Sequence, residues 1–69
     1  MDIAKKVGAN LKEARKIKGY TQKEVAQTFF MTQQQYSRFE NGVFELNYNQ
    51  LVALCKYLDI TPNELFDFE

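Results

Sequence analysis

Four side chains able to hydrogen-bond in pairs or forks crowd into one short stretch. It is TQQQYSRFENG, residues 32–42, and the four are Gln33, Gln34, Ser37 and Arg38. A glutamine amide sets a donor beside an acceptor and can make two hydrogen bonds to adenine, at N6 and N7. An arginine guanidinium can fork onto guanine O6 and N7. A serine hydroxyl can reach a phosphate or a base edge. With Asn41 the residues fall at i, i+1, i+4, i+5 and i+8, which is one face of a helix. The same residues would also make an ordinary solvated helix face, since polar faces are common. The surrounding elements have to decide between the two readings.

Those elements are marked by recurring helix starts. Thr21-Gln-Lys-Glu24, Thr32-Gln-Gln-Gln35 and Thr61-Pro-Asn-Glu64 each place a capping hydroxyl three residues before Glu or Gln, and Asn47-Tyr-Asn-Gln50 does so with an amide. Each cap can accept from the third backbone N–H while the Glu or Gln reaches back to the cap's own N–H. Pro62 suits a first helical position. Gly19 and Asn41-Gly42 read as stops, because both residue types tolerate a left-handed turn. The marks predict five helices, over about 3–18, 22–29, 33–41, 48–58 and 62–66. Each carries an apolar stripe at helical spacing: Ile3, Val7, Leu11 and Ala14; Val25, Ala26 and Phe29; Tyr36 and Phe39; Leu51, Leu54, Cys55 and Leu58; Leu65 and Phe66. No alternating strand pattern or internal repeat is present, so the fold class is all-α.

Only Phe30, Met31 and Thr32 separate the second helix from the third. Two short helices across so short a turn must cross steeply, as in a helix-turn-helix. Ala26 is then the small residue at their closest approach. With Tyr36 and Phe39 turned inward, Gln33, Gln34, Ser37, Arg38 and Asn41 project outward. The exposed N–H groups at the start of the second helix, near Gln22, form a seat for a phosphate.

Bulk properties limit what else the chain could be. Its 69 residues make one domain, 1–69, that must pack economically. A single cysteine, Cys55, cannot form an internal disulfide and fits a reducing compartment. With no transmembrane stretch and no signal peptide, the chain reads as cytoplasmic and stand-alone. It has no histidine, and no serine or cysteine has a base beside it, so neither an enzyme nor a metal site is expected, and no cofactor. The zero net charge hides an asymmetry. Residues 1–24 hold seven bases and three acids, a net +4, and the remainder holds two bases and six acids, a net −4.

The segment from Gly19 to Gly42 resembles the helix-turn-helix of the Cro/C1 repressor family, also called the XRE family. The likeness extends to Leu11 and Arg15 and to the stretch Leu51–Phe66. It implies a compact five-helix, lambda-repressor-like DNA-binding domain whose second and third helices form the motif. The Thr-Gln-Gln start of the third helix is similar to that of lambdoid phage repressors. There, two glutamines and a polar residue four positions after the second touch bases, which implies Gln33, Gln34 and Arg38 here, with Ser37 beside them. Phosphate positioning is implied for Gln22 and Asn41, and Lys23 and Thr32 at the two helix starts join that set. Arg15 and Glu40 are implied as a supporting pair. Two departures stand out. Phe30 occupies a turn position that is usually glycine, and Val43-Phe-Glu45 replaces a loop that is often basic.

Phe44, Tyr48, Phe66 and Phe68 are more aromatic surface than so short a domain can cover. Some are expected to form a two-fold interface, giving a homodimer on palindromic double-stranded DNA, most simply as a repressor. The alternative is a protein-interaction module, such as an antitoxin, that keeps the fold with weak DNA binding.

Overall fold

Every helix of the chain starts where a side chain can hold it. A computed structural model describes residues 2–67. Its elements are α1 Ile3–Lys18, α2 Gln22–Thr28, α3 Gln33–Glu40, α4 Tyr48–Leu58 and α5 Pro62–Phe66. Closed capping boxes begin α2 to α5, pairing Thr21 with Glu24, Thr32 with Gln35, Asn47 with Gln50 and Thr61 with Glu64. Asp2 caps α1 through the Lys5 N–H. The ends of α2 and α3 fall one residue short of expectation, because Phe29 and Asn41 act as caps.

The first four helices stop by one device. The chain turns left-handed just past the end, and the next N–H reaches back into the last turn. Gly19 has φ 78°, Phe30 56°, Gly42 73° and Asp59 58°. The N–H groups of Tyr20, Met31, Val43 and Ile60 then donate to the carbonyls of Arg15, Ala26, Arg38 and Cys55. Phe30 is therefore both left-handed and 98% exposed, a glycine conformation held by a phenylalanine. Asp59 serves the same purpose at the end of α4, which the sequence reading did not mark.

The core is a single cluster of Leu11, Ala14, Val25, Ala26, Tyr36, Leu54, Cys55, Leu58 and Leu65. Ala26 is 1% exposed, as a close crossing of α2 and α3 requires. Tyr20, Phe29, Met31 and Phe39 pack against this cluster without being fully covered. Tyr20 stacks on Tyr57, with ring centroids 5.0 Å apart, and Phe29 meets Tyr57 edge-on at 5.4 Å. Ile3, expected on the inner stripe of α1, is instead 57% exposed and lines a surface groove. The Cys55 thiol is buried and its pKa is pushed up by desolvation, which suits packing. The radius of gyration is 10.8 Å, matching the ~11 Å of a compact chain of this length. The described residues contain no strand, and no helix among them is long and apolar enough to cross a membrane.

One close approach fixes α3 against α1. A Cβ built on Gly8 would overlap the carbonyl oxygens of Phe39 and Glu40. Only a glycine lets the two backbones meet there. The sequence reading did not single out Gly8.

Candidate nucleic-acid interface

The outer face of α3 forms from the core outward. Tyr36 is 0% exposed and anchors the helix. Gln33 and Gln34 then emerge exposed in the first turn, and Ser37 and Arg38 follow half-buried on the same side. Gln35, adjacent to them, is committed elsewhere. Its side-chain oxygen accepts from the Thr32 N–H at 2.9 Å and closes the capping box.

Behind this face lies a chain of polar contacts centred on the buried Glu40. Arg15 on α1 donates through Nε to Glu40 Oε2 at 2.6 Å and through Nη2 to Oε1 at 3.2 Å. Its Nη1 also donates to the Tyr20 carbonyl at 2.8 Å. Gln22, at the start of α2, donates to Glu40 Oε1 at 2.9 Å. The oxygen of the same amide accepts from Gln33 Nε2 at 3.5 Å. The end of α1, the start of α2 and both ends of α3 are thus joined through Glu40. The bidentate geometry suits arginine better than lysine.

Burial alone would raise the Glu40 carboxyl. The hydrogen bonds from Arg15 and Gln22, with Tyr36 alongside, outweigh it and hold the pKa below the usual value. The hydrogen bond to Glu40 correspondingly raises Arg15. Burial pushes the Tyr36 phenol far above its ordinary value, and the nearby carboxylate adds to the shift. The Tyr36 hydroxyl is buried and reaches hydrogen-bond geometry with no partner among the described residues. Arg15 is neutralised by Glu40, so it offers no charge to a phosphate.

The remaining expected residues divide by what they touch. Lys23, Thr32 and Asn41 are exposed. Thr32 accepts from the Gln35 N–H at 3.1 Å, and Asn41 donates to Ser37 Oγ at 3.3 Å. The Gln22 side chain is engaged with Glu40 and Gln33 and bridges them. Arg15 and Glu40 are in contact as an ion pair. The sequence reading missed the partner of Arg38. Its guanidinium carbon lies 5.5 Å from the centroid of the Phe44 ring, and nothing in the local pattern marked that pair.

Phe44 also borders an open apolar groove of about 310 Å³, with Ile3, Val7, Phe39, Leu46, Tyr48, Leu51 and Phe66 around it. Phe44 is 50% exposed and Tyr48 89%. Phe66 is half-buried, and Phe68 lies outside the described residues. No three metal-binding side chains come together among the described residues.

A family model described as a helix-turn-helix domain matches residues 8–68. No curated protein and no solved structure matches the chain.

Proposed function

This chain belongs to the helix-turn-helix domain family, a DNA-binding fold of transcription regulation, and from that premise we propose that it is a sequence-specific regulator of the Cro/C1 type. It reads double-stranded DNA in the major groove with α3 and acts most simply as a cytoplasmic repressor, not as an enzyme. Gln33 and Gln34 take adenine, Arg38 takes guanine, and Ser37 lies beside them. Lys23, Thr32, Asn41 and the N–H groups at the start of α2 position the phosphates. The observation that carries this reading is the exposed polar face of α3, braced from behind by Arg15, Glu40 and Gln22. A solvated face with no binding role needs no such bracing.

The working form is a homodimer joined at the apolar groove beside Phe44 and Tyr48. Phe44 follows closely after the end of α3. A two-fold contact there would bring two copies of α3 side by side, about one DNA turn or ~34 Å apart, on a palindromic site. Sedimentation should show a dimer on DNA. A monomer at high micromolar concentration, with DNA present, would refute this part.

The test of base reading is selection from a random duplex library, run with the wild type, Gln33→Ala and Arg38→Ala. Each variant should lose one base preference of its own, worth ~1–3 kcal/mol. A folded protein that enriches no motif at low salt would favour the second reading, a protein-binding module such as an antitoxin. The observation on that side is the loop after α3, where Val43 is exposed and Glu45 offers phosphate no cation.

A further inference from the structure

Arg38 is held from two directions by the loop that follows α3. The backbone N–H groups of Val43 and Phe44 both donate to the Arg38 carbonyl, at 2.9 and 3.3 Å. That folds the loop back onto the last turn of the helix and carries the Phe44 ring to the Arg38 side chain. The guanidinium carbon then sits 5.5 Å from the ring centroid, within the range of a cation–π contact. Among the described residues Arg38 has no ion pair and no side-chain hydrogen bond. The aromatic ring is its only specific partner there.

We propose that Phe44 is a positioning residue for base recognition: its ring restrains the Arg38 guanidinium through a cation–π contact, so that the guanidinium donors meet guanine already ordered. This rests on the reading that α3 contacts bases. The chemistry of the group favours it. A guanidinium has two faces and an edge, and all five N–H donors lie in its plane. An aromatic ring offers that fork no oxygen acceptor to pair with. A carboxylate partner would occupy the same fork that guanine needs, and would have to be displaced on binding. The ring thus restricts a long, mobile side chain without competing for the base. The Phe44 backbone is tied to the end of α3, and its half-exposed ring lines the groove.

Phe44→Leu removes the π-face and keeps an apolar side chain at the edge of the groove. Phe44→Tyr keeps the π-face. The readout is the ratio of affinities for the selected site and for a site with the Arg38 base pair replaced. The same ratio at the Gln33 base pair is the internal reference. Phe44→Leu should lower the Arg38 ratio by roughly two- to five-fold, leave the Gln33 ratio unchanged, and be rescued by Phe44→Tyr. In the free protein, the Arg38 side-chain proton resonances should lose their ring-current shift in Phe44→Leu and regain it in Phe44→Tyr. A purely structural role would lower both ratios together or neither.

Arg38→Ala separates the two levels of failure. If it erases the guanine preference and Phe44→Leu leaves that preference intact, base reading stands and the role of Phe44 is wrong. If Arg38→Ala changes no base preference, or the wild type selects no site, the base-reading function falls and this inference with it.

Discussion

Phe30→Gly should make the protein more stable, although it removes a large apolar side chain. Phe30 sits at φ 56° in the left-handed region. Crowding between its Cβ and the following carbonyl costs about 1–2 kcal/mol, a cost that glycine does not carry. The ring returns little, because Phe30 is 98% exposed and gains almost no burial on folding. The Phe30 N–H donates to the Gln27 carbonyl at 3.2 Å and the Met31 N–H to Ala26 at 3.0 Å. Both are backbone bonds that glycine keeps. Against this, glycine frees the unfolded chain, an effect of about 0.4–1 kcal/mol. Taken at the middle of both ranges, the net is a gain of about 0.8 kcal/mol. For a domain of this size that corresponds to a Tm increase of roughly 2–8 °C. Urea or thermal unfolding followed by circular dichroism reads it directly, and Phe30→Asn should fall between the two. A midpoint unchanged or lowered in Phe30→Gly would refute the reasoning and would mean that the ring makes a contact offsetting the strain.

Three further outcomes follow from the same geometry. Gly8→Ala should destabilise the fold, since the overlap of its Cβ with the Phe39 and Glu40 carbonyls forces α1 and α3 apart. The crowding of about 1–3 kcal/mol exceeds the gain in helix propensity of up to about 1 kcal/mol, which a lowered urea midpoint would register. Stability should fall at both ends of a pH titration. Glu40 has a lowered folded-state pKa, so its contribution is present above the ordinary carboxylate range and is lost as pH falls below it. Tyr36 has a raised one, so its contribution is present below the ordinary phenol pKa of 10.0 and is lost as pH rises beyond it. Glu40→Gln should flatten the acid limb, and Tyr36→Phe the alkaline limb. Finally, DNA affinity should depend only weakly on salt. With Lys23 as the phosphate-positioning cation on the proposed face, a dimer neutralises about two phosphates, which gives a log–log slope of about −2.

The helix boundaries were legible in the sequence because capping is local. Thr21 and Glu24, or Thr32 and Gln35, are three residues apart, and their reciprocal hydrogen bonds need nothing from the rest of the chain. The apolar spacing that buried Tyr36 and Ala26 was legible for the same reason, since a helix converts sequence separation directly into angle. So was the outward face of α3 with Gln33, Gln34 and Arg38. The pair Arg15 and Glu40 was reachable only through family resemblance, because 25 residues separate them. The tertiary structure alone decided the rest. It turned the Gln22 amide inward to bridge Glu40 and Gln33. It forced Phe30 into a glycine conformation, required a bare Cα at Gly8, and laid the Phe44 ring against Arg38. Each of these depends on where one helix crosses another or on how a loop returns. Such contacts follow from how the core packs as a whole, whereas sequence spacing reports only on neighbours within a turn or two.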